Sequence, residues 1–260
     1  MLLAEFILVC FAGGSVILFL FCMVLKKMNN EIALVILAAG KGMRMLPLTA
    51  QKPKPLQEVC GKNLIEWKLE TLPDLVGRIV MVIGYEGDQI RSYFGNAWRG
   101  RAIDYVVQEK LNGTGGALWA ARSILPARFM VMMGDDLYGR ADVSNLLQHD
   151  YALGVIPVFD REIGGAVTVN PDGTLNEVSE GRRYVSKGLL NTGLYMLRDS
   201  IFSVSLCPAL NGSDEYGLPQ TIVEFARTHP VSVVSLNEWM QITAPHDLKR
   251  AEEFVSPKKV

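Results

Sequence analysis

The chain has 260 residues, of which 26 are basic and 27 acidic, so its formal net charge at pH 7 is −1. This balance excludes the large positive charge typical of proteins that bind nucleic acid, and we expect no nucleic-acid partner. The four cysteines and three histidines are too scattered for a zinc or redox motif.

The first predicted element is an uncharged apolar segment, FILVCFAGGSVILFLFCMVL, at residues 6–25. A helix needs about 20 such residues to cross a membrane. A lysine pair follows the segment directly, which by the positive-inside rule places the rest of the chain in the cytoplasm. We therefore predict a membrane anchor at residues 1–27 and a domain at residues 28–260 on the cytoplasmic face of the membrane. The alternative is a cytoplasmic protein whose true start is Met28.

After the lysine pair, short apolar runs alternate with segments of helical periodicity. The runs typical of buried strands are IALVILAAG, GRIVMVIGY, AIDYVVQ and RFMVMMGDD. The segments that predict helices are NLIEWKLETL, EGDQIRSYFGN, GTGGALWAARSIL and DVSNLLQHD. Alternation of this kind indicates right-handed crossovers and parallel strand pairs.

The second half of the chain begins with a predicted hairpin, GGAVTVNPDGTLNEVSE, whose turn is Pro-Asp-Gly. It continues with strands LLNTGLYMLR and VSVVSL and with helices LPQTIVEFART and APHDLKRAEEFV. We predict a Rossmann-like α/β fold with a mixed, mainly parallel sheet and helices on both faces, plus the N-terminal transmembrane helix. Ligand sites in such sheets lie outside the carboxyl ends of the strands.

The loop after the first strand, ILAAGKGMRMLPLT, matches neither the P-loop nor the dinucleotide fingerprint. Gly40 and Gly42 nevertheless allow backbone N–H groups to approach a polyphosphate. Arg44 adds a permanently charged fork that suits phosphate oxygens. Lys54 stands between two prolines, which restrict the backbone that carries its charge. Taken alone, the loop also fits a simple turn of small residues.

Together these motifs resemble the signature of the sugar-1-phosphate nucleotidyltransferases, also called nucleotide-sugar pyrophosphorylases. The family pattern is LAAGxGxRxxPxT, followed by a PKP lysine and a VxGKP turn, and this chain has LAAGKGMRMLPLT and PKPLQEVCGKN. The resemblance implies an NTP-transferase domain in which Arg44 and Lys54 are catalytic. The nucleotide-binding residues that it implies in the loop are Leu37, Ala38, Ala39, Gly40, Gly42 and Met43.

Two further segments extend the resemblance. QEKLNGTGGAL resembles the family element that contacts the base, which implies nucleotide-binding roles for Gln108, Gly113 and Thr114. An amide offers both a donor and an acceptor to a base edge, while Thr114 also suits a helix cap. MVMMGDDLYG resembles the strand end whose aspartate binds the metal, which implies that Asp135 is a Mg²⁺ ligand. Asp136 either assists it or caps the next segment.

Three segments of the second half resemble the sugar-side strands of the family. GGAVTV, LNEVSEG and LLNTGLYML carry the matching positions Gly165, Glu180 and Asn191. The resemblance implies that these three residues contact the sugar. Glu177 is an alternative to Glu180.

The chain departs from the family pattern at three positions. Gln241, in WMQITAPHDL, stands where the family has the Asp or Asn that is its second metal ligand. A glutamine carbonyl can bind Mg²⁺ but brings no negative charge, so we expect weaker metal binding. Asp247 suits the N-terminal turn of the last helix better than a replacement ligand. Gly181 replaces a family lysine, and Asn63 replaces the proline of the GKP turn.

We predict a Mg²⁺-dependent nucleotidyltransferase that uses an NTP and a sugar-1-phosphate, releases pyrophosphate and forms a nucleotide-sugar. One alternative is a non-catalytic, nucleotide-sugar-binding regulatory relative, suggested by Gln241 and Gly181. Another is transfer to a non-sugar phosphate such as phosphocholine. A glycosyltransferase with an Asp135–Asp136 metal motif leaves the glycine loop and the PKP lysine unexplained. The base, the sugar and the oligomeric state stay open, a homo-oligomer being one alternative.

Overall fold

The centre of the structure is a fully buried strand of seven apolar residues, β1 (Ile32–Ala38). It pairs in parallel with β4 (Val76–Ile83) on one side and with β7 (Arg128–Met133) on the other. Burial on both faces explains its unbroken apolar sequence. The computed structural model describes residues 32–181, 183–210 and 212–256.

The remaining strands and the helices follow one another along these ranges. The strands are β2 (Glu58–Val59), β3 (Lys62–Asn63), β5 (Ala97–Trp98), β6 (Arg101–Val107), β8 (Asp136–Tyr138), β9 (Ala152–Ile163), β10 (Ala166–Val169), β11 (Leu175–Ser179), β12 (Arg183–Arg198), β13 (Ser232–Ser235) and β14 (Trp239–Gln241). The helices are α1 (Leu64–Glu70), α2 (Gly87–Phe94), α3 (Gly113–Ala121), α4 (Arg140–Leu146), α5 (Leu218–Ala226) and α6 (Pro245–Val255).

Within the described residues the main sheet has ten strands, with the order β11-β10-β12-β7-β1-β4-β6-β5 and with β9 and β13 continuing from β12. Its centre, from β7 to β6, is parallel. Antiparallel strands flank this centre, among them the predicted hairpin of β10 and β11. The predicted mixed α/β sheet is confirmed.

Alternate residues of β1 face two separate apolar layers. On one face Leu34 and Ile36 belong to a buried cluster that includes residues of α1, α2 and α4. On the other face Val35 and Leu37 belong to a cluster that includes residues of α3 and α5. Helices therefore cover both faces of the sheet, as the sequence predicts.

A small second sheet joins the C-terminal region to the end of β7. Its strands β8 and β14 are antiparallel, and Gln241 stands opposite Asp136. Leu137 and Met240 belong to a third buried cluster, which also includes Ala251 of α6. This pairing brings the segment after β14 beside the carboxyl ends of the central strands.

The prediction of a transmembrane helix as part of the fold is wrong for the part of the chain that the structure describes. No helix in the three described ranges is long and apolar enough to cross a membrane, and even α6 has only 11 residues. The predicted segment at residues 6–25, with the boundary between residues 1–27 and 28–260, lies outside the described residues.

Candidate nucleotide-binding and active site

The loop after β1 starts between the ends of the two neighbouring strands. The Gly134 N–H donates to the carbonyl of Leu37 at 2.9 Å, and the Tyr85 N–H donates to that of Ala39 at 3.0 Å. A Cβ on Gly134 would lie 2.7 Å from the Leu37 oxygen, so only glycine permits this close approach. The glycine loop therefore lies at the ligand-binding edge of the parallel sheet.

Gly42 and Thr49 of the loop motif form one structural unit. Gly42 has a left-handed backbone, with φ at 62°. A Cβ there would lie 3.1 Å from both Lys54 Cβ and Thr49 Cγ2. The Thr49 hydroxyl donates to the Gly42 carbonyl at 2.9 Å. This packing brings Lys54 against the loop, while Arg44 is exposed on the turn that follows Gly42.

Lys54 and Asp135 meet across the cleft although 81 positions separate them in the sequence. The Lys54 ammonium lies 2.5 Å from Asp135 Oδ2, and the side chains are 8% and 33% exposed. Gln57 supports the lysine loop by donating from Nε2 to the carbonyls of Leu48 and Lys52. Lys52 itself pairs with Glu58 at the surface. Lys54 is thus the lysine of this segment that faces the cleft.

The two carboxylates that follow β7 have different environments. Asp135 lines the cleft. Asp136 is buried, and its Oδ2 accepts a hydrogen bond from Trp239 Nε1 at 3.2 Å. Burial, with a smaller contribution from the Asp135 carboxylate, raises the pKa of Asp136 well above its ordinary value. Asp135 is therefore the carboxylate available to a ligand, whereas Asp136 helps to hold β14.

The predicted base-contacting residues form another wall of the cleft. Gln108 Nε2 donates to the Asn112 side-chain oxygen and to the Gly113 carbonyl, both at 3.0 Å. Because its amide hydrogens are used within this loop, its carbonyl oxygen is the group available to a ligand. The Thr114 hydroxyl accepts from the Leu218 N–H at 3.0 Å. Thr114 therefore stabilises the start of α5, and the alternative role that its sequence position suggests, a cap of its own helix, is not observed.

These walls enclose a cleft of about 560 Å³. Twelve predicted residues line it: Leu37, Ala38, Ala39, Gly40, Gly42, Met43, Arg44, Lys54, Gln108, Gly113, Thr114 and Asp135. Eight further residues line it without having been predicted, and two of them, Glu215 and Thr243, belong to the second half of the chain. These two come from distant segments without a recognisable motif, so no local signal identified them.

The three predicted sugar-side residues form a separate group. Gly165 donates to the Ser179 carbonyl and accepts from the Asn191 N–H, both at 2.9 Å. A Cβ on Gly165 would lie 3.7 Å from Asn191 Cβ and 4.0 Å from Glu180 Oε2. Glu180 is therefore close to the other two. Glu177, the alternative, is exposed and accepts from the Ser179 hydroxyl.

This group is separate from the residues that line the cleft, but it lies at the same edge of the sheet. Met133, at the end of β7, lines the cleft. A Cβ on Gly193 of β12 would lie 2.4 Å from Met133 Cγ. Asn191 is two positions before Gly193, and β12 runs antiparallel to β7. Asn191 is therefore just beyond the carboxyl end of β7.

The protein supplies an incomplete ligand set for a metal. Across the described ranges, no group of three or more His, Cys, Asp and Glu side chains could hold an ion. Gln241 is exposed and is not among the residues that line the cleft. Mg²⁺ is commonly held by one or two carboxylates with substrate phosphates and water. The single carboxylate of Asp135 fits a Mg²⁺ ion that phosphate oxygens complete.

Asn63, one of the departures from the family pattern, and Asp247, the candidate replacement ligand, both have structural roles. Asn63 caps α1: its Oδ1 accepts from the Glu66 N–H at 3.0 Å, and its own N–H donates to Glu66 Oε2 at 2.8 Å. Asp247 Oδ2 accepts from the N–H groups of Thr243 and Ala244, both at 2.9 Å. Asp247 therefore serves the N-terminus of α6, as its place in the sequence indicates.

The fold and the cleft define an α/β protein with a glycine-rich loop at the carboxyl ends of its parallel strands. Residues 33–220 match the family model described as nucleotidyl transferase. The chain belongs to the nucleotidyl transferase family. This match confirms both the resemblance and the predicted enzyme class.

The chain is also similar to individual proteins of known name. The chain is 28% identical to the bifunctional protein GlmU of Methanocaldococcus jannaschii, a match that covers 86% of this chain and 54% of GlmU. It is 29% identical to the UTP–glucose-1-phosphate uridylyltransferase AglF of Haloferax volcanii, over 84% of this chain and 94% of AglF. The chain thus spans about half the length of GlmU.

Among solved structures, the inositol-1-phosphate CTP transferase from T. maritima has a TM-score of 0.70 with this chain. The two are 19% identical, and the match covers 87% of this chain and 96% of the other. At this identity the likeness concerns the fold, and it agrees with the mixed α/β sheet.

Proposed function

We propose that the protein transfers a nucleotidyl group from an NTP to a sugar-1-phosphate and releases pyrophosphate. The observation that carries this proposal is the contact between Lys54 and Asp135 at the mouth of the glycine loop. It joins a cation suited to phosphate and a carboxylate suited to Mg²⁺ at one point of the cleft. The name of AglF, a glucose-1-phosphate uridylyltransferase, supports the acceptor class.

The reaction is an in-line displacement at the α-phosphorus of the NTP. A phosphate oxygen of the acceptor forms the new P–O bond, and the bond to the bridging oxygen breaks as pyrophosphate leaves. No proton transfer to a protein group and no covalent enzyme intermediate is required. The protein contributes positioning and charge stabilisation.

Each group of the cleft has a separate task in this displacement. The backbone around Gly40 and Gly42 donates to phosphate oxygens, and Arg44 holds the departing pyrophosphate. Lys54 neutralises the two phosphates that meet. Lys54 and Asp135 neutralise one another in the structure. When substrate and metal bind, the phosphates become the counter-charge of Lys54 and the metal becomes that of Asp135. Asp135 would hold the Mg²⁺ ion, which when bound would neutralise charge on the α-phosphate and on the leaving group.

The sugar of the acceptor is bound by the group of Gly165, Glu180 and Asn191. A carboxylate and an amide side chain are suited to the hydroxyl groups of a sugar. This group lies just beyond the carboxyl end of β7, where Asp135 follows. An acceptor bound there extends its phosphate towards the loop.

The test is incubation with Mg²⁺, the four NTPs plus dTTP, and a panel of sugar-1-phosphates that also includes inositol-1-phosphate and phosphocholine. We expect pyrophosphate release with at least one sugar-1-phosphate, and the nucleotide-sugar identified by mass spectrometry. Pyrophosphate release only with a non-sugar phosphate would show that the acceptor is not a sugar-1-phosphate. Folded protein that releases pyrophosphate with no pair would refute the catalytic proposal.

One observation favours a second candidate, a nucleotide-sugar-binding protein without turnover. Gln241 brings no charge and lies outside the set of cleft-lining residues, so the metal site depends on one carboxylate. Binding of a nucleotide-sugar measured by calorimetry, without turnover in the panel, is the result expected for this alternative.

A further inference from the structure

A lysine is fully buried beneath the active site. Lys68 lies in the middle of α1 and is 0% exposed. The buried positions of this helix are Leu64, Ile65, Lys68 and Leu69, a stripe in which the other three residues are apolar. An apolar side chain is the expected occupant of the Lys68 position.

Burial of an ammonium is costly, and replacement of a buried charge by an apolar residue of similar size is often neutral or stabilising. The Lys68 ammonium donates to the Leu64 carbonyl at 3.1 Å and to the Gly134 carbonyl at 3.0 Å. The first acceptor belongs to its own helix. Its contact with another part of the fold is therefore the carbonyl of Gly134.

The Gly134 carbonyl has a specific place in the active site. It belongs to the peptide unit that joins Gly134 to Asp135, and the Gly134 N–H is bound to Leu37 of β1. The carboxylates of Asp135 and Asp136 also attract the Lys68 charge, whereas Lys54 repels it. From its buried position, Lys68 thus makes a hydrogen bond to the peptide that sets the direction of the Asp135 side chain.

We propose that Lys68 is a positioning residue, which fixes the Gly134–Asp135 peptide so that the Asp135 carboxylate meets Mg²⁺ and Lys54. This inference rests on the proposed function for the role of Asp135. A donor at this position orients the carboxylate, and an apolar residue of the same size fills the space without orienting it. Misplacement of a reacting group by about 1 Å costs roughly 10²-fold in rate.

The test compares wild type with Lys68→Met, which keeps most of the length of the unbranched side chain and removes its donors. Leu69→Met, a neighbouring buried position of the same helix, controls for altered packing. Three quantities are measured for each protein: the melting temperature, the further rise in melting temperature that Mg²⁺ gives in the presence of an NTP, and turnover as a function of Mg²⁺ concentration. Lys68→Arg tests whether another buried donor restores function.

For Lys68→Met we expect an unchanged or higher melting temperature, loss of most of the Mg²⁺-dependent rise, and turnover reduced roughly 10- to 100-fold. Leu69→Met is expected to keep the rise and the turnover. A lower melting temperature with an unchanged Mg²⁺ response would show a purely structural lysine and overturn the inference. So would a wild type whose NTP-dependent melting temperature does not respond to Mg²⁺. Lys68→Arg supports the inference if it regains part of the Mg²⁺ response, and counts against it if it is folded but behaves like Lys68→Met.

The two proposals fail in different ways. A wild type that binds an NTP with Mg²⁺ but transfers to no acceptor refutes the proposed function, and the Mg²⁺-dependent melting shift still decides the role of Lys68. A wild type that turns over, together with an equally active Lys68→Met, refutes the positioning role and leaves the proposed function intact.

Discussion

At the scale of single residues, neighbouring groups fix the positions of the charged and polar side chains that line the cleft. Lys54 stands between two prolines and packs against Gly42, and it reaches Asp135 at 2.5 Å. Gln108 is oriented by the backbone carbonyl of Gly113, which can only accept a hydrogen bond. Such preorganised groups stabilise charge more strongly than mobile ones.

Removal of either charge of the central pair is expected to abolish most turnover. Lys54→Met and Asp135→Asn should each reduce kcat on the order of 10²-fold or more, because a contact to the reacting phosphates or to Mg²⁺ is lost. Lys52→Met, two residues away and paired with surface Glu58, should stay within about twofold of wild type. Steady-state kinetics on folded variants checks this, and wild-type kcat in Lys54→Met would contradict it.

A carboxylate at position 241 is expected to strengthen metal binding. In the β8–β14 pair Gln241 stands opposite Asp136, the residue that follows Asp135 in the sequence. Gln241→Asp adds a negative charge there, so the Mg²⁺ concentration for half-maximal activity should fall roughly three- to tenfold. Gln241→Ala serves as the control, since it alters the side chain without adding charge. The same Mg²⁺ requirement in both variants would mean that position 241 does not face the metal.

At the scale of elements, polar caps and tight contacts join the two halves of the chain. The Thr114 hydroxyl of α3 accepts a hydrogen bond from the first N–H of α5, that of Leu218, although 104 positions separate the two residues. Asp142 of α4 accepts from the N–H groups of Asn237 and Glu238, just before β14. Asp247 in turn holds the segment between β14 and α6, where Thr243 lines the cleft. The walls of the site therefore depend on contacts at helix ends.

Loss of the α6 cap is expected to destabilise the protein in a pH-dependent way. Asp247→Ala should lower the free energy of unfolding by about 1–2 kcal/mol at pH 7. Burial acts to raise the pKa of Asp247, but the N–H groups of Ala244 and Thr243 lower it below its ordinary 3.8. A lowered folded-state pKa gives stability that is present above pH 3.8 and is lost as the pH falls further.

The stability difference between wild type and Asp247→Ala should therefore shrink below pH 3.8. Urea unfolding at pH 7 and at several acid pH values measures it. Glu253→Ala, an exposed position of the same helix, is the control and should change stability by less than about 0.5 kcal/mol. A difference that is constant from pH 7 to pH 3 would exclude an ionised cap.

At the scale of the whole molecule, the cleft is closed by segments from both halves of the chain. The glycine loop, the Gln108 wall and Asp135 come from the first half, and Glu215 and Thr243 come from the second. A ligand in the cleft contacts elements that become adjacent only in the folded state. Its binding energy therefore adds to the stability of the whole fold.

Nucleotide binding is expected to raise the melting temperature. With Mg²⁺ and an NTP at about 100 times its dissociation constant, linkage gives about 2.7 kcal/mol, or roughly 5–10 °C for a domain of this size. Gly113→Ala should reduce this shift, because φ is 91° there and a Cβ would lie 2.4 Å from the Tyr216 carbonyl oxygen. Gly100→Ala, with φ at 81° and open space around the Cβ, should keep it. Equal shifts in both variants would place the nucleotide elsewhere.

The sequence predicts the local elements well where one periodicity dominates, as in β1 or the hairpin of β10 and β11. It misses β9, whose run YALGVIPVFDREI contains a proline that normally excludes a central strand. The structure tolerates Pro157 because β13 pairs with β9 only over Ala152–Val155, so the proline lies beyond that pairing. Local pattern alone does not show where a neighbouring strand ends.

By itself the sequence determined the alternation of strands and helices, the glycine loop and the residue types of the site, since these depend on spacing along the chain. Only the tertiary structure decided that Lys54 meets Asp135, that Asp136 turns inward to Trp239, and that Lys68 lies beneath Gly134. The physical reason is that strand register and helix packing bring together residues far apart in sequence, and their burial and partners then determine which charges face the cleft.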